Sequence, residues 1–125
     1  QYSISVSEGL LSSTQKYQKS QYNYKQDIVQ QIETMENIKI LAFHAPWCGD
    51  CQRQMPFINQ IFLNMQIETD AIEVDRYKRD KFGLTQKYGI TRIPTVLILK
   101  NDIEVGRVVE RPFLSWEEDI LVKIK

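Results

Sequence analysis

Apolar residues recur at helical spacing in Ile28, Val29, Ile32 and Met35, which predicts an amphipathic helix. The period then changes: "IKILAF", from Ile38 to Phe43, is the continuous apolar run of a strand. Helical spacing returns in Phe57, Ile58, Ile61, Phe62 and Met65, with Pro56 expected to kink that helix. "AIEV", from Ala71 to Val74, predicts a second strand, the charged span Arg76 to Lys81 an exposed loop, and Leu84 to Tyr88 a short helix. "TVLIL" and "EVGRVV" flank the turn-like Lys100, Asn101 and Asp102 and predict a hairpin. Ser115 and Glu118 form a capping-box pattern ahead of Trp116, Ile120, Leu121 and Ile124, which predicts a C-terminal helix. Helices alternating with strands and closing on a hairpin imply an α/β fold, a central mixed sheet flanked by helices.

The N-terminal stretch breaks this pattern. Four of the six tyrosines and many Gln and Ser residues precede Lys25, whereas every phenylalanine lies at Phe43 or later. Residues 1–20 are therefore expected to be an N-terminal extension, loosely ordered or docked on the surface, ahead of a domain spanning 21–125. The first residue, Gln1, is not methionine, and the expectation drawn from it is a removed leader and an extracytoplasmic setting, periplasmic or secreted, with the cytoplasm as the alternative.

Length and charge narrow the function classes. The 125 residues, 42% of them hydrophobic, suffice for one domain with its own core. No apolar run approaches the roughly 18 residues of a membrane-spanning helix. Acidic and basic residues balance at 16 each, leaving no basic footprint for nucleic acid or an anionic membrane surface. The expected partner is a protein or a small thiol, acting on a monomer.

Both cysteines fall in "FHAPWCGDCQRQMP", with Gly49 and Asp50 between Cys48 and Cys51. They follow a predicted strand where the next helix starts, so free backbone N–H groups should lie beside Cys48 and favour its thiolate. One helical turn brings the second sulfur near the first, and the chemistry open to such a pair is exchange: Cys48 attacks a disulfide and Cys51 resolves the mixed disulfide. A structural disulfide and an inert buried pair remain alternatives. A zinc site would need four ligands from two cysteines and the one histidine, His44, so no metal is expected. Asp50 should disfavour the Cys48 thiolate by its charge while stabilising the first turn of the helix.

"APWCGDC", Pro56 five residues beyond Cys51, and "KYGITRIPTVLILKN" from Lys87 to Asn101 together resemble the thioredoxin family over roughly residues 25 to 125. The resemblance implies the thioredoxin fold and a thiol:disulfide oxidoreductase that reduces protein disulfides, needs no bound cofactor and draws electrons from an external thiol reductant. It also implies a cis Ile93-Pro94 bond beside the sulfurs, pairing of the Ile93 backbone with an extended substrate segment, and Trp47 covering one side of the site. Arg92, two residues before Pro94, is a candidate for attracting an acidic partner or steadying a thiolate. The sequence departs from the family at three positions: Ala42 stands where a buried Asp is usual, Ala71 at or near its lysine partner, and Glu110 near a usual glycine. Deprotonation of Cys51 is then left to water, His44 or Asp50, and His44 is either a tuning group or simply packed at a strand end. The competing functions are a non-catalytic binding module with a structural disulfide and a disulfide oxidase or isomerase.

Overall fold

The structure, a computed structural model, describes residues 6–125. Four strands form one sheet in the order β2-β1-β3-β4: β1 spans Ile38–His44, β2 Glu68–Glu73, β3 Thr95–Lys100 and β4 Ile103–Val109. β1 pairs parallel with β2 and antiparallel with β3, and β3 pairs antiparallel with β4. The apolar run of β1 follows from this position, since a central strand is covered on both faces. Its Ile40, Leu41, Ala42 and Phe43 are all fully buried or nearly so. At the β3–β4 turn Asn101 and Asp102 both have positive φ, the geometry of a tight hairpin turn.

Among the described residues there are five helices: α1 (Glu8–Lys16), α2 (Gln26–Glu33), α3 (Gly49–Leu63), α4 (Leu84–Lys87) and α5 (Trp116–Ile124). α3 packs on β1, α5 on β3 and β4, and α2 on α5. Pro56 lies inside α3, which continues to Leu63. The capping pattern at Ser115 is realised, its hydroxyl accepting from the Glu118 N–H at 3.1 Å.

Two elements differ from the sequence pattern. β2 begins at Glu68, three residues before "AIEV", because Glu68, Thr69 and Asp70 pair with Lys39, Ile40 and Leu41. Register against β1 makes these polar residues a strand. The larger difference is at the N-terminus. Residues 1–5 of the expected extension lie outside the described residues, but 8–16 form α1, which packs on β2 and α3. Leu10 and Tyr17 join the core. Ser7 caps the helix through its hydroxyl and also donates to Asp70 at 2.6 Å, while buried Ser13 donates to Asn59 at 2.8 Å. Gly9 permits the docking, because a Cβ there would overlap the Ala71 carbonyl oxygen of β2. α1 thereby covers β2, an edge strand of the sheet.

Candidate active site

The two cysteines sit where β1 hands over to α3. A turn closed by the Cys48 N–H donating to the Ala45 carbonyl (3.1 Å) links the elements, and Gln52 pins it by donating to the Pro46 carbonyl at 2.6 Å. Cys48 is the N-cap of α3 and Cys51 lies in its first turn. The Cys51 backbone N–H donates to Cys48 Sγ at 3.3 Å, so one of the orphan donors of the helix end is aimed at that sulfur. Cys48 is half-buried, Cys51 fully buried, and both are free thiols. Burial pushes the Cys51 thiol well above its ordinary range, and the neighbouring Cys48 pushes it further. The two sulfurs are thus unequal, one reachable and solvated by a helix N-terminus, the other held protonated beneath it.

The second wall is the segment before β3. The Cys48 thiol donates to the Ile93 carbonyl at 3.5 Å, and Ile93-Pro94 is cis. This contact joins two segments 45 positions apart. Glu110, with φ of 67°, donates its N–H to the Pro94 carbonyl at 2.7 Å and so brings the end of β4 to the same place. Trp47 stays partly exposed beside Cys48, with the Arg76 guanidinium 5.1 Å from its ring centre. Gly49 is exposed at the start of α3.

Three of the charged or titratable candidates are engaged elsewhere. Asp50 is ion-paired with Arg53 one turn along α3, which offsets its charge near the sulfurs. Its effect on Cys51, in the raising direction, is the smallest of the causes acting there. Arg92 pairs with Glu110 at 3.6 Å, so its guanidinium is directed to that carboxylate. His44 is buried and its Nδ1 meets the Tyr17 hydroxyl at 2.8 Å, the rings edge to face. Burial lowers the His44 pKa from 6.5 to about 4; Glu73 and Asp70 oppose the shift and Lys16 adds to it. The imidazole is therefore neutral near pH 7 and paired through Nδ1 with the Tyr17 hydroxyl. A cavity of about 720 Å³ opens between α1, β2 and the loop beyond it, with His44, Glu73 and Phe82 in its lining and neither cysteine.

At Ala42 the sheet is apolar. Ala42 is flanked in register by Ala71 on β2 and Val96 on β3, all buried, so no carboxylate or lysine side chain arises from this row. Among the described residues no cluster of three His, Cys, Asp or Glu side chains is placed to hold a metal, and no helix is long and apolar enough to cross a membrane.

Sequence reasoning missed Tyr17 and Arg53. Arg53 had a legible signal, three residues from Asp50 on a helix. Tyr17 had none, since its partner lies 27 positions away.

A family profile described as Thioredoxin matches residues 4–118. The chain is 33% identical to a thioredoxin of Bacillus subtilis over 78 residues, which is 62% of this chain and 69% of that protein. It is 28% identical to the human protein disulfide-isomerase TMX3 over 69 residues, 54% of this chain but 15% of that longer protein. Among solved structures, thioredoxin 1 from Thermosipho africanus superposes with a TM-score of 0.53 at 26% identity, covering 69% of this chain and 89% of its own. A protein of unknown function from Pseudomonas aeruginosa reaches a TM-score of 0.58 at 21% identity, with 82% and 74% coverage, and speaks for the fold alone.

Proposed function

The chain belongs to the thioredoxin family, and from that membership and the geometry of its two cysteines we propose that it reduces protein disulfides by dithiol–disulfide exchange. Membership points to thiol–disulfide oxidoreductase activity in general. The observation that carries the finer reading is the inequality of the sulfurs: Cys48 half-buried at the start of α3 with the Cys51 N–H upon it, Cys51 buried one turn below.

The steps follow from that inequality. Cys48, as thiolate, attacks one sulfur of a substrate disulfide; the substrate S–S bond breaks, a mixed disulfide forms, and the other substrate sulfur leaves and takes a proton. Cys51 then loses its proton and attacks Cys48 Sγ. The Cys48–Cys51 disulfide forms and the second substrate sulfur leaves as a thiol. Two electrons have passed from the protein dithiol to the substrate, and an external thiol reductant returns them. Ile93 and Pro94 form the wall against which an extended substrate segment pairs, with Trp47 beside Cys48. His44 takes no proton through Nδ1 in this chemistry, because that atom is committed to Tyr17.

Insulin reduction with dithiothreitol as donor tests the reading. Turnover by the wild type and its loss in Cys48→Ser are expected. A wild-type disulfide that resists dithiothreitol and supports no turnover would overturn the proposal in favour of a binding module.

A further inference from the structure

The cavity between α1, β2 and the loop beyond it stands apart from the cysteine chemistry, since neither Cys48 nor Cys51 lines it. Its volume, about 720 Å³, falls in the range of small-molecule sites. The docking of α1 makes one wall, to which Glu8, Gly9 and Ser12 contribute. β2 and the loop after it make the others, and apolar residues complete the lining, among them Ile72, Val74 and the exposed Phe82.

One group in this lining is a buried side chain with a free hydrogen-bonding atom. His44 is 1% exposed, and its Nδ1 is taken by the Tyr17 hydroxyl at 2.8 Å. That bond fixes the ring and turns Nε2 away from Tyr17. Among the described residues Nε2 has no hydrogen-bond partner, whereas no side-chain N or O sealed from solvent lacks one. Nε2 therefore opens to the cavity that His44 lines. Buried polar atoms are ordinarily partnered, so an atom left open in this way marks where a polar group of a ligand belongs.

The charge in the cavity is negative. Glu8, Asp70, Glu73, Asp75 and Asp80 line it against two cations, Arg79 and Lys81. Three of these carboxylates are engaged: Asp75 with the Tyr77 and Arg79 N–H groups, Asp80 with those of Phe82, Leu84 and Thr85, and Glu73 with Lys16. Arg79 is paired with Asp75, and Lys81 lies over the Phe82 ring, 5.1 Å from its centre. Among the described residues Asp70 and Glu8 have no ion pair, and Asp70 holds only neutral donors, the Ser7 hydroxyl and the Ala71 N–H. The neutral imidazole adds no opposing charge near pH 7. No three His, Cys, Asp or Glu side chains among the described residues are grouped for a metal ion, so the cation that suits this field is an organic one.

We propose that this cavity binds a small protonated amino alcohol with an apolar body. Its ammonium lies at Asp70 and Glu8, its hydroxyl at His44 Nε2 and its apolar body against Phe82. The two carboxylates are neighbours: Ser7 and Gly9 flank Glu8 in the chain, Ser7 donates to Asp70 Oδ1 at 2.6 Å, and a Cβ on Gly9 would lie 2.5 Å from the same oxygen. A hydroxyl both donates and accepts, so it satisfies Nε2 in either tautomer. The site goes beyond the reductase reading and does not rest on it.

His44 is the one histidine of the chain, so its imidazole NMR resonances report filling of the cavity. The reduced protein at neutral pH is titrated with phenylethanolamine, with phenethylamine, which lacks the hydroxyl, and with phenylpropionate, which carries the opposite charge. Phenylethanolamine should shift the His44 resonances saturably and bind about threefold more tightly than phenethylamine and about tenfold or more above phenylpropionate. Asp70→Asn, which keeps an acceptor for Ser7, should weaken binding of the amino alcohol by about three- to tenfold and leave insulin reduction unchanged. Glu8→Gln, at an exposed side chain, should do the same and serves as the test should Asp70→Asn loosen α1. Shifts that grow linearly without saturating, equal binding of amine and carboxylate, an absent hydroxyl that leaves affinity unchanged, or full affinity in both variants would each overturn the site. A wild type that binds the amino alcohol but does not reduce insulin would overturn the reductase reading and leave the cavity standing.

Discussion

Replacing His44 by Asn should remove a pH dependence of stability that the buried imidazole imposes on the whole domain. Asn offers its side-chain oxygen near the place of Nδ1, so the Tyr17 hydroxyl keeps an acceptor, but it does not titrate. His44 is a base whose folded pKa is lowered, from 6.5 to about 4, chiefly by burial. Above about pH 6.5 it is neutral in both states and stability is unaffected by it. As pH falls below that value the unfolded chain takes up a proton that the folded chain refuses, so stability drops. Below about pH 4 both states are protonated and the loss is complete. The full loss is 6.5 − 4 = 2.5 pH units, or about 3 kcal/mol, and about 2 kcal/mol of it should appear between pH 7 and pH 5. Groups facing the imidazole are Glu73 and Asp70 from β2, Lys16 from α1 and the Tyr17 hydroxyl. Carboxylates with lowered pKa, such as Asp75 and Asp80, also weaken the fold as pH falls, but equally in both proteins. Urea denaturation at half-unit steps from pH 7.5 to 4.5 gives the difference. Wild type should lose about 2 kcal/mol relative to His44→Asn by pH 5; parallel curves would refute the neutral, buried imidazole. As the chain has one histidine, its imidazole resonances report the same pKa directly.

In the reduced protein iodoacetamide should label Cys48 before Cys51, and Cys51→Ser should accumulate mixed disulfides while Cys48→Ser does not; trapping on Cys51 would reverse attacker and resolver. Gly9→Ala, which in an open helix would gain about 1 kcal/mol, should instead destabilise, because the new methyl overlaps the Ala71 carbonyl oxygen. A raised Tm would show that α1 does not dock there. Glu110→Gly should stabilise by roughly 0.5–1 kcal/mol, since relief of a positive φ outweighs an exposed pair with Arg92, and an unchanged denaturation midpoint would count against that strain. Ser115→Ala should cost about 1 kcal/mol through the lost cap of α5, read from the same unfolding curves.

Much of the fold was legible because much of it is local. The stripe Ile28–Val29–Ile32, the apolar run of β1, the hairpin at Asn101–Asp102 and the Ser115 cap each express a repeat or a turn within a few residues. The cysteine pair was legible for the same reason, a fixed spacing at a strand-to-helix junction. α1 was not legible. "EGLLSSTQK" holds only two large apolar residues, Leu10 and Leu11, and its helix is stable through Ser7 on Asp70, Ser13 on Asn59 and the close approach at Gly9. The start of β2 at "ETD" was hidden likewise, because its strand character comes from pairing with β1.

The sequence by itself determined which segments are helix and strand through the centre of the chain, that the two sulfurs lie one helical turn apart, and the unequal exposure that a helix start imposes on them. Tertiary structure alone decided the distant partners: Tyr17 for His44, Glu110 for Arg92, and the Ile93 carbonyl for Cys48. Periodicity encodes which face of an element is buried. It does not encode what lies against that face, because such contacts join segments tens of residues apart and are set by sheet register and by how closely two backbones can approach.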